Sequence, residues 1–247
     1  MTYAVLTREL DAGSAYATAL ASFGLVSIAM PVTRTAPPAD PGALSRALAQ
    51  GGHAAIVIAS ARAAAALAEA RGTWTLGEVW AVGPATQRAL AAAGIHAVHP
   101  ETAHDGSSLA HALLAKRDLA GRRVLVPRAE HGREEAISIL RAAGVETEEV
   151  VAYRTIPAAP DDAAVAGGLE LLREGRADVT CVFAPSQATA LAAIAGRLGE
   201  LRTRFAAIGD TTGATLRELG VTDVQVATAP TPEGLAVAVG AVYPARR

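Results

Sequence analysis

Tyr153 is a side chain whose type and setting could support acid–base chemistry. It lies in the stretch VVAYRTIPAAP, where an apolar run gives way to a segment marked by prolines. A phenol stays protonated at neutral pH, so it can donate a proton to a ligand. The alternative is a tyrosine that packs at a hinge between domains with its hydroxyl in water.

Four short turns that follow apolar strands are candidate binding sites for carboxylate or phosphate groups. Ligands of parallel α/β sheets bind at the carboxyl ends of strands, where helix N-termini present unpaired N–H groups. Glycine allows close approach of the backbone, and Ser or Thr adds a hydroxyl donor. The alternative is that the hydroxyl residues only cap helices. The candidate residues are Ser60 and Arg62; Gly83, Pro84, Ala85 and Thr86; Ser186 and Gln187; and Thr211 and Thr212.

Three arginines are candidates for binding an anionic ligand. Arg8 and Arg128 follow strands at matched places in the sequence, and Arg133 lies one turn further along. A guanidinium group binds carboxylates with two parallel hydrogen bonds. The alternative is a surface arginine whose charge is solvated.

Several common signatures are absent. The sequence has no GxGxxG, GxxxxGK[ST] or GxSxG motif, so dinucleotide, nucleoside-triphosphate and hydrolase sites lack their patterns. Four histidines between residues 96 and 111 lack metal-ligand spacing, so no metal site is expected. The single cysteine, Cys181, lies in an apolar run and is expected to be a buried thiol.

Composition restricts the class of protein. The chain has 247 residues, 51% of them apolar, which is enough for one large or two small cores. A net charge of −2 gives no global attraction to nucleic acid or to an anionic membrane. No signal pattern opens the chain, and no apolar run approaches the roughly 18 residues that span a bilayer. We therefore expect a cytoplasmic protein that acts on a small molecule.

The sequence contains an internal duplication. Arg8, Gly24 and Arg34 recur 120 residues later, and the stretch from Gly83 to Thr86 recurs 126 residues later at Gly209. Each copy alternates apolar strands with alanine-rich helices, which predicts an α/β fold. Because short strands such as AAIVI are apolar throughout, we expect parallel sheets covered by helices on both faces.

Two proline-marked segments, residues 31–41 and 152–160, lie at equivalent points of the two copies. If the chain crosses between domains at both, residues 35–154 form an inserted domain, and residues 1–33 plus 156–247 form a discontinuous one. If the copies are themselves the domains, the boundary falls between residues 120 and 121. The pattern alone favours neither arrangement.

The ordered motifs VLTRE, IASARAA, WAVGPAT, VLVPR, VVAYRT, VFAPSQA, AAIGDTT and TAPTPEGLAVAV resemble those of the uroporphyrinogen-III synthase family over nearly the whole chain. The resemblance implies two α/β domains joined by a two-stranded linker, with the copies exchanged between domains. It implies an active site in the cleft between them, where hydroxymethylbilane loses water and closes with inversion of ring D. It also implies a hydro-lyase of haem biosynthesis that needs no cofactor, and we expect a monomer.

The resemblance assigns roles residue by residue. Tyr153 matches the tyrosine of the family's Y-x-T motif and is the implied catalytic side chain. Two turns have lost a hydroxyl, because Ala59 and Ala184 stand where the family often has Thr or Ser. The turns are therefore expected to bind the substrate's eight carboxylates through main-chain N–H groups. Two alternatives remain, namely a two-domain sensor that closes on an anionic ligand without chemistry, and a different α/β transferase.

Overall fold

The computed structural model describes residues 1–243, which form two compact units. One unit, called here the inserted unit, is Thr35–Thr155. The other, the discontinuous unit, combines Met1–Arg34 with the described residues from Ile156 onward. Each unit is built on a sheet of its own.

The helices and strands follow one another in the alternating order of an α/β protein. In chain order they are β1 (Thr2–Leu6), α1 (Ala15–Ala21), β2 (Leu25–Ala29), β3 (Thr33–Ala36), α2 (Ala43–Gln50), β4 (Ala55–Ile58), α3 (Ala61–Ala70), β5 (Glu78–Ala81), α4 (Gly83–Ala92), β6 (Ala97–Val98), α5 (Gly106–Lys116), β7 (Arg123–Ala129), α6 (Glu135–Ala142), β8 (Glu146–Pro157), α7 (Ala163–Arg173), β9 (Ala177–Val182), α8 (Pro185–Ala195), a 3₁₀ turn (Leu198–Glu200), β10 (Arg204–Ala207), α9 (Asp210–Glu218), β11 (Val224–Val226) and α10 (Pro232–Val242).

The sheet of the discontinuous unit has the strand order β11-β10-β9-β1-β2, and its described pairings are parallel. Successive residues of β10 enter different cores, since Phe205 and Ala207 join one cluster and Ala206 joins another. Side chains of a strand alternate between the two faces of its sheet, so each face carries its own core.

The inserted unit has the strand order β3-β8-β7-β4-β5-β6, with β4 to β8 paired in parallel. Ile56 and Ile58 of β4 enter one core, whereas Ala55 and Val57 enter a second core on the opposite face. The predicted fold class, α/β with parallel sheets covered on both faces, is confirmed.

The duplication is visible in the strand orders. When strands are matched by the sequence repeat, β2-β1-β9-β10-β11 of one sheet corresponds to β8-β7-β4-β5-β6 of the other. Each sheet therefore combines the opening strands of one copy with the later strands of the other.

The second proline-marked segment differs from its prediction. The sequence suggested that the strand ends near Tyr153, but β8 continues as one strand to Pro157. Proline fixes φ and lacks an N–H donor, which restricts it within a ladder but allows it where a strand ends. No helix within residues 1–243 is long and apolar enough to cross a bilayer.

Candidate active site

A cavity of about 370 Å³ lies in the inserted unit at the carboxyl ends of its parallel strands. Val57 of β4, Val126 to Ala129 of β7 and Tyr153 of β8 contribute to its walls. The carboxyl ends of parallel strands meet at one edge of the sheet, and this is the usual place for a ligand in such folds. Four residues predicted from the sequence line this cavity, namely Ser60, Arg128, Arg133 and Tyr153.

Tyr153 is fixed by its strand and by a serine across the sheet. A register irregularity between Arg128 and Ala129 places Ala129 opposite Tyr153, and the N–H of Glu130 donates to the Tyr153 carbonyl at 3.1 Å. The ring packs against the core of the unit, while its hydroxyl oxygen lies 3.2 Å from the Oγ of Ser60.

Ser60 caps helix α3, as the simpler alternative predicted. Its Oγ accepts the N–H of Ala63 at 3.1 Å. That bond uses a lone pair of the serine oxygen and leaves its hydroxyl hydrogen free. The hydroxyl can therefore donate to the Tyr153 oxygen, so one residue both caps the helix and contacts the tyrosine.

Three helix N-termini line the cavity. They are represented by Ser60 at the start of α3, Gly106 and Ser107 at the start of α5, and Ala136 in the first turn of α6. Unpaired N–H groups and the positive end of the helix dipole favour anions at such places. The cavity can therefore hold carboxylates through the main chain.

The start of α5 is built by a capping box between Asp105 and Ser108. The Asp105 carboxylate accepts the Ser108 N–H at 2.7 Å. Hydrogen bonds from the side chain and backbone of Ser108 hold the pKa of Asp105 below its usual range, and the charge of Arg133 adds to this effect.

Arg128, expected from the sequence to follow a strand, is instead one of the last residues of the strand itself. It lies inside β7, where it forms an ion pair with Glu149 and donates to the carbonyl of Gly132. Burial would raise the pKa of Glu149, but hydrogen bonds from Arg128 and Arg141 lower it below its ordinary value. The charge of Arg128 is therefore compensated before any ligand arrives.

Arg133 and His104 are the more available basic side chains of the cavity. Both residues are exposed, and within residues 1–243 neither side chain forms an ion pair. An exposed guanidinium that forms no ion pair suits a carboxylate that reaches the cavity from solvent.

Other predicted residues of the inserted unit lie elsewhere. Arg62 lines a separate groove of about 600 Å³, whose walls include Pro37, Pro38 and the other side of Tyr153. The four residues of the glycine-threonine turn open helix α4 at the same edge of the sheet, but the neighbouring Val82 lines the cavity in their place. They are Gly83, Pro84, Ala85 and Thr86. Thr86 is buried, which removes its hydroxyl from contact with solvent.

In the discontinuous unit, the predicted residues gather at the carboxyl ends of β1, β9 and β10. Arg8 lies with its guanidinium carbon 5.3 Å from the ring centre of Tyr16 and 5.2 Å from that of Phe183. Such stacking holds a cation in place and leaves its N–H groups free at the ring edges. Gln187, in the first turn of α8, accepts the N–H of Phe183 at 3.1 Å.

The alternative prediction that Ser186 and Thr212 cap helices is wrong. The N-cap residues of α8 and α9 are Ala184 and Gly209, neither of which has a capping side chain. Ser186 lies inside α8, and Thr211 and Thr212 lie inside α9. Thr212 is 2% exposed, so its hydroxyl belongs to the packing of the helix start.

Sequence reasoning missed three features of these edges. Glu149 and His104 were not singled out as partners or cavity residues, and Thr7 was overlooked although it is fully buried. The D-x-x-S pattern from Asp105 to Ser108 is a capping signal that could have located the start of α5. Among residues 1–243, no cluster of three or more His, Cys, Asp and Glu is arranged to hold a metal ion.

Comparison with known proteins identifies the family. The model of the family described as HEM4, uroporphyrinogen-III synthase HemD, matches residues 14–236. No curated protein shows a sequence match to the chain. A mutant uroporphyrinogen III synthase from the extremely thermophilic bacterium Thermus thermophilus superposes with a TM-score of 0.57 at 20% identity, covering 98% of each chain.

A second solved structure shares the fold. Uroporphyrinogen-III synthetase from Helicobacter pylori superposes with a TM-score of 0.62 at 15% identity, over 98% of this chain and 99% of that chain. At such identities the structural likeness establishes the fold, whereas the family model covers most of the sequence. The chain belongs to the uroporphyrinogen-III synthase family.

Proposed function

We propose that the chain converts hydroxymethylbilane to uroporphyrinogen III, with loss of water and inversion of ring D. Membership of the family supports this cyclising hydro-lyase reaction. The structural observation that carries the assignment of a proton donor is the contact between Tyr153 and Ser60 on the wall of the inserted unit's cavity.

Binding of the substrate relies on local donors. A tetrapyrrole rich in carboxylates is not attracted by a chain of net charge −2 as a whole. Helix N-termini around the cavity supply N–H groups, and the exposed Arg133 adds a positive charge. In the discontinuous unit, Arg8, Gln187 and the starts of α8 and α9 offer a second set of donors.

Tyr153 supplies the proton that the leaving group needs. When the hydroxymethyl carbon loses its hydroxyl, the oxygen departs as water only if it takes up a proton. If Ser60 donates to the Tyr153 oxygen, the phenol proton points away from Ser60 and is available for this transfer. Ring closure later releases a proton from the pyrrole carbon that is attacked, and the phenolate recovers it.

The finer sequence-based expectations belong to this proposal. They are a monomeric, cytoplasmic enzyme that requires no cofactor and binds no nucleic acid, with domains at residues 1–33 plus 156–247 and 35–154. The low net charge supports the absence of a nucleic-acid partner. The compact units and their separate cores support the domain boundaries.

The experiment is an isomer assay. Freshly generated hydroxymethylbilane is incubated with the protein, and the oxidised products are separated by chromatography. Because the activated bilane closes unrearranged without an enzyme, we expect the inverted isomer with the protein and the symmetric isomer without it. A sensor without chemistry would bind uroporphyrin yet leave only the symmetric isomer, and that result would overturn the proposal.

A further inference from the structure

Thr7 and Gln187 form a hydrogen-bonded pair at the carboxyl ends of two adjacent strands. Thr7 follows β1 and is 0% exposed. Its hydroxyl oxygen lies 2.7 Å from the Oε1 of Gln187 and 3.1 Å from the carbonyl oxygen of Cys181. The one hydroxyl hydrogen favours the closer acceptor, so Thr7 donates to the Gln187 amide oxygen.

The amide of Gln187 is held in one orientation. Its oxygen accepts both the Thr7 hydroxyl and the Phe183 N–H, at 2.7 and 3.1 Å. Rotating the amide by half a turn would direct its NH₂ group at the Phe183 N–H, which can only donate. The NH₂ group is therefore on the outer side, and no residue within the described range 1–243 accepts a hydrogen bond from it.

Phe183 connects Gln187 with a cationic side chain, that of Arg8. Phe183 donates its N–H to Gln187 and places its ring against the Arg8 guanidinium, 5.2 Å away. Arg8 makes no ion pair with any residue from 1 to 243. One backbone segment thus presents an oriented amide donor and an uncompensated guanidinium at the same sheet edge.

We propose that Thr7 is a positioning residue, which fixes the Gln187 amide so that its NH₂ group donates to a carboxylate of the substrate. This inference rests on the proposed function. A long polar side chain loses rotamer freedom when it is held, and ordering Gln187 before the ligand arrives removes that cost from binding. The hydroxyl of Thr7 itself is buried and does not touch the substrate.

The kinetic test compares variants that keep the shape of the site. Thr7→Val removes the hydroxyl, and we expect KM to rise about tenfold while kcat stays within about twofold. Thr7→Ser restores the donor and should bring KM back close to the wild-type value. Gln187→Glu keeps an acceptor for Thr7 and Phe183 but replaces the NH₂ group with a negative oxygen, so KM should rise further.

Thr180→Val is the matched control. Thr180 is also 0% exposed and makes one side-chain hydrogen bond, to Thr203 at 2.9 Å. Thr180 lies within β9 and Thr203 directly precedes β10, so this hydrogen bond is made towards the amino ends of the strands, away from Gln187. We expect Thr180→Val to lower stability as Thr7→Val does and to leave KM unchanged. Equal KM values for Thr7→Val and Thr180→Val would overturn the positioning role.

A second readout does not depend on activity. The chain has no asparagine and four glutamines, so four side-chain amide pairs appear in its ¹⁵N–¹H spectrum, and Gln187→Met assigns one of them. On titration with uroporphyrin, the Gln187 NH₂ signals should shift in the wild type and shift less in Thr7→Val. Unmoved wild-type signals would refute the donor role, whereas a wild type that forms no inverted isomer would refute only the reaction.

Discussion

At Tyr153, a single hydroxyl distinguishes proton donation from packing. The ring contacts the core of the inserted unit and remains in Tyr153→Phe, which loses only the contact with Ser60. We expect this variant to fold with a stability loss of about 1 kcal/mol. Its rate should fall by about 10²–10⁴, the range for a positioned proton donor. Isomer chromatography should then show the symmetric product.

Tyr3→Phe is the control for that experiment. Tyr3 lies in the other unit, and its hydroxyl lies 3.5 Å from the sulfur of Met1. We expect wild-type rate and isomer ratio from this variant. A folded Tyr153→Phe protein that forms the inverted isomer as fast as Tyr3→Phe would reduce Tyr153 to a packing residue.

The buried thiol of Cys181 should make the free energy of unfolding depend on pH. Burial raises its pKa to about 12, while an unfolded cysteine has a pKa near 8.5. Because the folded pKa is the higher one, the stabilisation is fully present below about pH 8.5 and is lost as the pH rises towards 12. The free energy of unfolding should fall by about 2 kcal/mol between pH 8 and pH 10 from this group alone.

The measurement is denaturant unfolding of wild type and Cys181→Ala at both pH values. The alanine variant loses packing at every pH but lacks the titrating thiol, so the difference between the two proteins should shrink as the pH rises. Since this is the single cysteine of the chain, its alkylation rate also reports exposure. Fast alkylation of the native protein at pH 8 would contradict burial.

Strand ends alone are enough to bring some of the candidate residues together. Ser60, Arg133 and Tyr153 reach one cavity because the carboxyl ends of parallel strands share an edge. The pairing of Arg128 with Glu149 could not be read in the same way. It depends on the register between β7 and β8, which places Glu149 opposite Val126 and within reach of the arginine.

At the scale of single elements, the repeat-matched glycines Gly83 and Gly209 differ in backbone conformation. Gly83 opens α4 with φ of 70°, whereas Gly209 precedes α9 with an extended φ of −177°. A Cβ added at either position meets no atom within 4 Å. Gly83→Ala should therefore lose about 1–2 kcal/mol of stability through φ alone, and Gly209→Ala should lose none.

Thermal unfolding of the two variants side by side provides the measurement. Equal stabilities would show that the turn at Gly83 relaxes to a negative φ at no cost.

Sequence matching could not separate these glycines, because a repeat keeps the residue type while each copy settles its own turn geometry. The same limit applies to helix starts, where Ser60 caps α3 but Ser186 lies inside α8.

For the whole molecule, the alternation of apolar strands and alanine-rich helices was sufficient to predict the fold class. It could not decide which strands share a sheet, because the two copies are alike and either could complete the other. The pairing of β1 with β9 rather than with β4 joins residues about 175 positions apart. Such long-range pairing is set by packing of the complete chain, which no local pattern contains.

The last prediction concerns the inserted unit as an independent folding unit. Both of its cores are formed wholly by residues between Ala43 and Tyr153, and it is continuous in sequence. A fragment of residues 33–157 keeps β3 and β8 whole and has the size of an ordinary domain. We expect it to unfold cooperatively in urea, with a change in fluorescence dominated by Trp80, which is 1% exposed, rather than by Trp74, which is 46% exposed.

Leu125→Ala in the same fragment tests whether that cooperativity reports the native core. Leu125 is 0% exposed and lies in the core that also contains Ile56 and Ile58. Its truncation should lower the free energy of unfolding by about 2–5 kcal/mol. The shift should be the same in the fragment and in the Trp80 transition of the full chain, because the cavity and its neighbours are the same. A fragment that unfolds gradually, or whose unfolding midpoint in urea is unchanged by Leu125→Ala, would show that the unit needs the rest of the chain to form its core.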